Sequence, residues 1–184
     1  KWRMRSSVVS VMIATVAVII SISSCSQRMK EYFIVKRALG KSMEIPSTLV
    51  KISGSDFPMS SRYKMVSFVN AAECEKCYAS TLPIWSGILG ETVEEIPVVF
   101  IFEKPSEQLK AVLDSTSQFV ILSDSELAFR KLNKYLEDDI QYDTFLLDSS
   151  NTIVLRGNPL FGDKILKMYL KVLSEEKYNN QINR

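Results

Sequence analysis

Cys74 and Cys77 stand in a C-x-x-C spacing inside NAAECEKCYASTLP, residues 70–83. Two thiols at that spacing can exchange disulfides, form half of a zinc site or close a structural disulfide. A zinc site takes four ligands, and the chain contains no histidine, so both thiolates would need acidic partners or a second chain. A purely structural disulfide here would close a tiny loop and remove little entropy from the unfolded chain. Thiol–disulfide exchange is therefore the chemistry the spacing favours. The absence of histidine also excludes Ser-His-Asp and Cys-His catalysis and any haem held by a proximal histidine. Neither G-x-x-x-x-G-K-[ST] nor G-x-G-x-x-G occurs, so no motif argues for a phosphate-binding loop.

The elements around the pair place it. YKMVSFVN (63–70) reads as a strand with an apolar core at Met65, Val66, Phe68 and Val69. Residues 75–89 carry helical spacing at Tyr78, Leu82, Trp85 and Leu89, interrupted by Pro83. The cysteines thus follow a strand and open a helix, where free N–H groups and the positive end of the dipole favour thiolate over thiol. Cys74, at the exposed end, is the expected nucleophile, and Cys77, one turn further, the resolving thiol. Lys76 would lower the Cys74 pKa, whereas Glu73 and Glu75 would raise it. Either glutamate could also accept or relay the proton of Cys77. The aromatic residues Tyr78, Trp85, Phe100 and Phe102 are expected in the core.

Further along, IPVVFIFE (96–103) is a continuous apolar run, as in a strand buried on both faces. SEQLKAVLDST reads as a helix, QFVIL as a strand, and SELAFRKLNKYL as a helix with Ser125 as its cap. TFLLD and TIVLR, joined by the turn SSN, predict a hairpin. GDKILKMYLKVLSEEK predicts an amphipathic helix with Ile165, Met168, Tyr169, Val172 and Leu173 on one side. Before this domain, 29–39 has one apolar helical face stopped by Gly40, and a short strand is expected at 49–52 ahead of the loop SGSDFPMSSR. The alternation predicts an α/β fold with a central mixed sheet flanked by helices on both faces.

The first 25 residues have a different character. Lys1, Arg3 and Arg5 precede an uncharged, mostly apolar run from Val8 to Ile22, the layout of a secretory signal. Ile22-Ser23-Ser24-Cys25 resembles a bacterial lipobox, in which the cysteine is lipidated; an uncleaved N-terminal anchor helix is the alternative. Both place the remainder outside the cytoplasmic membrane, on the periplasmic side of the envelope. Cleavage before Cys25 removes three of the 23 basic residues and none of the 21 acidic ones, leaving a charge of about −1. Using Cys25 for lipid also leaves one cysteine pair in an oxidising compartment. The intact chain carries only +2 and has no Lys/Arg cluster, so no nucleic-acid partner is expected.

The order strand, C-x-x-C, proline-containing helix, buried strand, helix, strand, helix, hairpin, helix resembles the thioredoxin-like superfamily. It is most similar to the envelope-attached TlpA/ResA-like branch, which carries an additional strand–helix unit before the hairpin. FVILSDSELAFRKLNKYL would be that unit, and TFLLDSSNTIVLRG resembles the hairpin pattern TFLID-x-x-G-x-I-V-x-x-x-G. The likeness covers 62–178, after a signal or anchor at 1–25 and an N-terminal helix and linker at 26–61, with 179–184 a polar tail. The peroxiredoxin pattern P-x-x-x-T-x-x-C is absent ahead of either cysteine.

Three departures from the branch are plain. Glu73, Glu75 and Lys76 stand where it usually has a tryptophan and a proline-containing pair; Pro83 lies one residue later than usual; and IQYDTF (140–145) has no proline where the family places a cis-proline. A cis bond before another residue type costs about 2.5–4 kcal/mol, so a trans loop is expected, with an altered substrate groove at Tyr142, Asp143 and Thr144. The resemblance implies a membrane-tethered thiol–disulfide oxidoreductase without cofactor or metal. Its partners would be cysteine-containing envelope proteins and a redox partner protein. The alternative is a non-catalytic thioredoxin-fold lipoprotein for envelope interaction or assembly, its cysteine pair structural or vestigial.

Overall fold

The computed structural model describes residues 29–71, 80–85, 87, 96–113, 119–137, 139 and 141–182. The chain divides into two units, Lys1–Arg37 and Ala38–Arg184. In the first, residues 29–37 are helical, and Lys36 lies 5.4 Å over the ring of Tyr32. The helical residues continue to 38 (α1) and give way to a turn at 39–40, with Gly40 at φ 75°, the left-handed stop that glycine provides. The proposed signal at 1–25, with Cys25, lies outside the described residues. Among the described residues no helix is long and apolar enough to cross a membrane.

The second unit is built on six strands: β1 (Val50–Ser53), β2 (Tyr63–Val69), β3 (Val98–Glu103), β4 (Val120–Asp124), β5 (Thr144–Asp148) and β6 (Ile153–Arg156). They form one sheet in the order β1-β4-β3-β2-β5-β6. β2, β3 and β4 run parallel, and β1, β5 and β6 join antiparallel to their neighbours. The helical stretches are residues 80–85 (α2), Glu107–Leu113 (α3), Ala128–Leu132 (α4) and Asp163–Ile182 (α5), with a 3₁₀ turn at Pro159–Phe161. The strands predicted from apolar runs, the hairpin and the closing helix are therefore all present. So is the additional strand–helix unit, as β4 and α4.

Strand alternation sorts the core into two layers. Met65, Val98, Phe100, Phe102 and Ile121 face one side, packed with Leu82 and Trp85 of α2, Leu109 and Leu113 of α3, and Tyr169 and Leu173 of α5. Val66, Phe68, Val99, Ile101 and Leu122 face the other, with Phe129 of α4, Tyr135 and Met43. Trp85 meets Phe100 edge-on at 5.6 Å, and Phe68 stacks on Phe129 at 5.4 Å. Helices thus cover both faces, and Trp85, Phe100 and Phe102 are core residues as expected. β1 ends at Gly54, φ 78°, where a Cβ would collide with the carbonyl oxygen of Phe119; only glycine fits there.

One local expectation is corrected. The helix predicted from Ser125 is limited to Ala128–Leu132, and Ser125 does not cap it. Asp124, at the end of β4, does so instead: its two carboxylate oxygens accept the amides of Ala128 and Phe129, both at 2.9 Å. A carboxylate satisfies two orphan donors where a hydroxyl satisfies one. The Ser125 hydroxyl pairs with that of Ser123 at 2.9 Å. At the other end the buried Asn133 amide donates to the carbonyls of Phe129 and Glu44, while its oxygen accepts Glu44 N–H and the Tyr135 hydroxyl. With all four polar positions used, Asn133 stops α4 and fastens the segment after α1 to it.

A charged residue also lies fully inside. The Lys64 ammonium, on β2, donates to the carbonyls of Met59, Ser61 and Asp148 at 3.2, 3.4 and 3.1 Å. Burial pulls its pKa below the ordinary lysine value, and the Asp148 carboxylate opposes this. Lys64→Met should destabilise by about 1–3 kcal/mol, because three inward carbonyls lose their donor while the packing volume is kept. Urea unfolding reads this directly; an unchanged midpoint would mean that the carbonyls find other donors.

Candidate redox site at the carboxyl end of β2

Cys74 and Cys77, with Glu73, Glu75 and Lys76, lie outside the described residues. Their flanks are described on both sides. β2 runs to Val69, Asn70 is buried, and helix is present from residue 80. In sequence the C-x-x-C segment lies between the end of β2 and the helical residues 80–85.

Three sets of side chains hold the end of β2. On the side of β3, the Glu103 carboxylate accepts the Ala71 amide at 2.9 Å through one oxygen and the Arg130 guanidinium at 3.1 Å through the other. Arg130 also lies 5.2 Å over the Phe68 ring, within cation–π reach. On the side of β5, the Phe68 amide donates to the Asp143 carbonyl at 2.8 Å, and the Ser67 and Thr144 hydroxyls pair at 2.8 Å. Below them, the Tyr169 hydroxyl of α5 reaches the Thr144 carbonyl at 3.4 Å.

The segment with Tyr142, Asp143 and Thr144 thus meets β2 at Ser67 and Phe68. The structure refines what each offers. Tyr142 is half-buried, but Asp143 and Thr144 are closed from solvent, so their side chains hold the loop instead of lining a surface. Arg156, the last residue of β6 and also buried, organises this. Its Nε donates to the Tyr142 carbonyl at 2.7 Å, its Nη2 to Asp143 Oδ1 at 3.3 Å, and its guanidinium lies 5.3 Å from the Phe145 ring. Asp143 Oδ1 also accepts the Glu137 amide at 3.0 Å, whereas Oδ2 is buried with no hydrogen-bond partner. Burial pushes the Asp143 carboxyl up to about 7, and the Glu137 amide, Arg156 and Arg130 only partly oppose this.

The main chain of the loop is used internally. The Tyr142 amide donates to the Asp139 carbonyl at 2.9 Å and the Gln141 amide to the Asp139 carboxylate at 2.9 Å. The Gln141 carbonyl accepts from the Asn158 amide at 2.8 Å. No cis peptide bond occurs among the described residues, so the Tyr142–Asp143 connection is trans, as expected without proline.

Sequence reasoning missed Glu103, Arg130 and Arg156. Glu103 and Arg156 each terminate an apolar strand run, and a charge ending such a run is a usable signal. Arg130 gives none, because on a short helix it reads as an ordinary exposed cation.

No family model and no curated protein matches the chain. Solved structures do. The thioredoxin domain of a thiol-disulfide oxidoreductase from Bacteroides vulgatus matches with a TM-score of 0.51 at 16% identity, over 74% of this chain and 98% of that one. A C-terminal domain assigned as a thiol-disulfide oxidoreductase from Bacteroides thetaiotaomicron gives 0.50 at 15% identity, over 74% and 97%. A second Bacteroides vulgatus structure, also assigned as a thiol-disulfide oxidoreductase, gives 0.50 at 14% identity, over 73% and 92%. At these identities the likeness is one of architecture. With its β1-β4-β3-β2-β5-β6 mixed sheet, helices on both faces and a C-x-x-C segment after the central β2, the chain has the thioredoxin-like fold.

Proposed function

We propose that the protein is a thiol–disulfide oxidoreductase of the cell envelope, tethered to the membrane through lipid on Cys25 or an N-terminal helix. The observation that carries this reading is the position of C-x-x-C in the chain, between the last residues of β2 and α2 of a thioredoxin-like fold. The Cys74 thiolate attacks one sulfur of a substrate disulfide, forming a mixed disulfide and releasing the first substrate thiolate, which takes a proton. The Cys77 thiolate then attacks the Cys74 sulfur and releases the second substrate thiol. The Cys74/Cys77 pair ends oxidised and the substrate reduced by the same two electrons; the reverse sequence oxidises a dithiol. Cysteine-containing envelope proteins are the substrates, and a second redox protein restores the pair. No cofactor takes part.

The internal use of the Gln141 and Tyr142 main chain favours a second reading, a non-catalytic envelope-interaction lipoprotein. That loop offers few free backbone groups for pairing with an extended substrate. One experiment separates the two. Cys77→Ala should accumulate mixed disulfides at Cys74 on non-reducing gels, and Cys74→Ser should lower reduction of a model disulfide by at least about 100-fold, since the nucleophile is lost. If Cys77→Ala traps nothing and the intact chain reduces no model disulfide, the second reading stands. Lipid labelling that persists in Cys25→Ser would remove the lipid tether.

A further inference from the structure

We propose that the exposed face of α1, formed by Met29, Tyr32, Phe33 and Lys36, docks on an anionic lipid surface. The proposal takes its place in the envelope from the tether proposed above and adds to it a second, separate membrane contact.

Met29, Tyr32, Phe33 and Lys36 stand at i, i+3, i+4 and i+7, the spacing of one helical face. Met29, Tyr32 and Phe33 are 50%, 54% and 59% exposed. Single exposed apolar side chains are ordinary, but here they adjoin one another. The Tyr32 and Phe33 rings meet edge-on at 5.7 Å. The Lys36 ammonium lies 5.4 Å over the Tyr32 ring, within cation–π reach. Ile34 and Val35, on the other side of the helix, are half-buried. The outward side therefore carries the rings, the reverse of a helix that keeps them for a core.

Charge selects the occupant. Residues 29–37 hold Lys30, Lys36 and Arg37 against Glu31, a net +2, whereas 38–184 hold 16 basic and 20 acidic residues, a net −4. An anionic surface thus attracts α1 and repels the rest of the chain. A tyrosine ring suits the lipid boundary, its body among the acyl chains and its hydroxyl at the headgroups. Lys30 and Lys36, both exposed, can lay their stems along apolar surface while their ammonium groups stay at the phosphates. With residues 29–38 helical, α1 is only about 15 Å long, too short to cross a bilayer. Such a helix lies in the interface plane. Its first residue stands four positions after Cys25, so a lipid there would hold α1 within about 14 Å of the surface. A lipid chain joined to a basic, apolar contact anchors far more firmly than either alone.

Hydrogen exchange tests this on the full chain, incorporated in phosphatidylcholine vesicles with or without about one-third phosphatidylglycerol. Amides of 29–38, followed by peptide mass, should exchange at least about tenfold more slowly in the anionic vesicles. Each lysine is worth about fivefold at such a surface, so Lys30→Gln with Lys36→Gln should abolish the difference. Salt at about 0.5 M should abolish it in the unaltered chain. Tyr32→Ser with Phe33→Ser should do so with the charge unchanged. All four residues are exposed, and the β2 amides, read in the same spectra, report that the fold is intact.

Equal exchange in the two vesicle types overturns the proposal and leaves this face to a protein. Slow exchange that survives both the lysine substitutions and salt overturns it too. The tether is read separately, by flotation with the neutral vesicles. A chain that floats there without lipid-dependent protection keeps the tether and loses the docking face. Protection of α1 on anionic vesicles, in a chain that neutral ones release, keeps the face and loses the tether.

Discussion

Arg156→Met is expected to cost about 3–5 kcal/mol of stability at pH 8, the usual consequence of removing one partner of a buried ion pair. Arg156 is closed from solvent and makes the contacts that hold the 141–143 loop against β6. Methionine fills much of the volume but offers no donor. The Tyr142 carbonyl then loses a 2.7 Å hydrogen bond, and Asp143 keeps only the Glu137 amide for its Oδ1. Near pH 5.5 the cost should be smaller. With its pKa raised to about 7, the Asp143 carboxyl is then mostly protonated and needs no counter-ion. Denaturant unfolding at the two pH values tests both parts; a loss below about 1 kcal/mol at pH 8 would show that Arg156 does not hold the loop.

The second large effect is the pH dependence carried by Asp143. Burial raises its pKa from an ordinary 3.8 to about 7, so between these values the folded protein holds a proton that the unfolded chain has released. Stability from this group is therefore complete below about pH 4 and is lost as pH rises through 7. At about 1.4 kcal/mol per pH unit, the loss amounts to roughly 2–4 kcal/mol over that window. Asp143→Asn should abolish it, since the amide oxygen can accept from Glu137 and Arg156 and no proton is exchanged. The amide nitrogen also places a donor where Oδ2 has no partner. The charged groups acting on Asp143 are Arg156 and Arg130, with Glu44 near the adjoining Tyr135, and the wild type and Asp143→Asn both retain them. The stability of the wild type relative to Asp143→Asn should thus fall steadily from pH 4.5 to 7.5. A flat difference would mean that Asp143 stays ionised in the fold.

The elements of this protein were legible as patterns of apolar residues. VVFIFE reads as a strand buried on both faces, and in the folded chain Val99 and Ile101 face one core layer while Phe100 and Phe102 face the other. TFLLD-SSN-TIVLR reads as a hairpin because two apolar runs flank a polar turn. There the Asp148 carboxylate accepts the amides of Ser150 and Thr152. The α4 start was misplaced for a local reason: Ser125 and Asp124 are both good caps by type, and only the end of β4 settled which one faces the free amides. The C-x-x-C spacing was plain in the sequence, and so was its place between a strand and a helix.

What sequence alone determined is the order of elements, the two-faced core and the position of the thiol pair, because each follows from local periodicity and spacing. Only tertiary structure decided the fate of the charges. Lys64, Glu103, Arg130, Asp143 and Arg156 carry no periodic signal that separates a buried charge from a solvated one. Whether each can be buried depends on partners far away in the chain: the Asp148 carbonyl for Lys64, Ala71 and Arg130 for Glu103, Asp143 and Tyr142 for Arg156. Desolvating an ion is tolerated only where such partners converge. That convergence belongs to the sheet order β4-β3-β2-β5-β6, which brings Glu103, Arg130, Asp143 and Arg156 to the carboxyl end of β2 and sets Lys64 near its start.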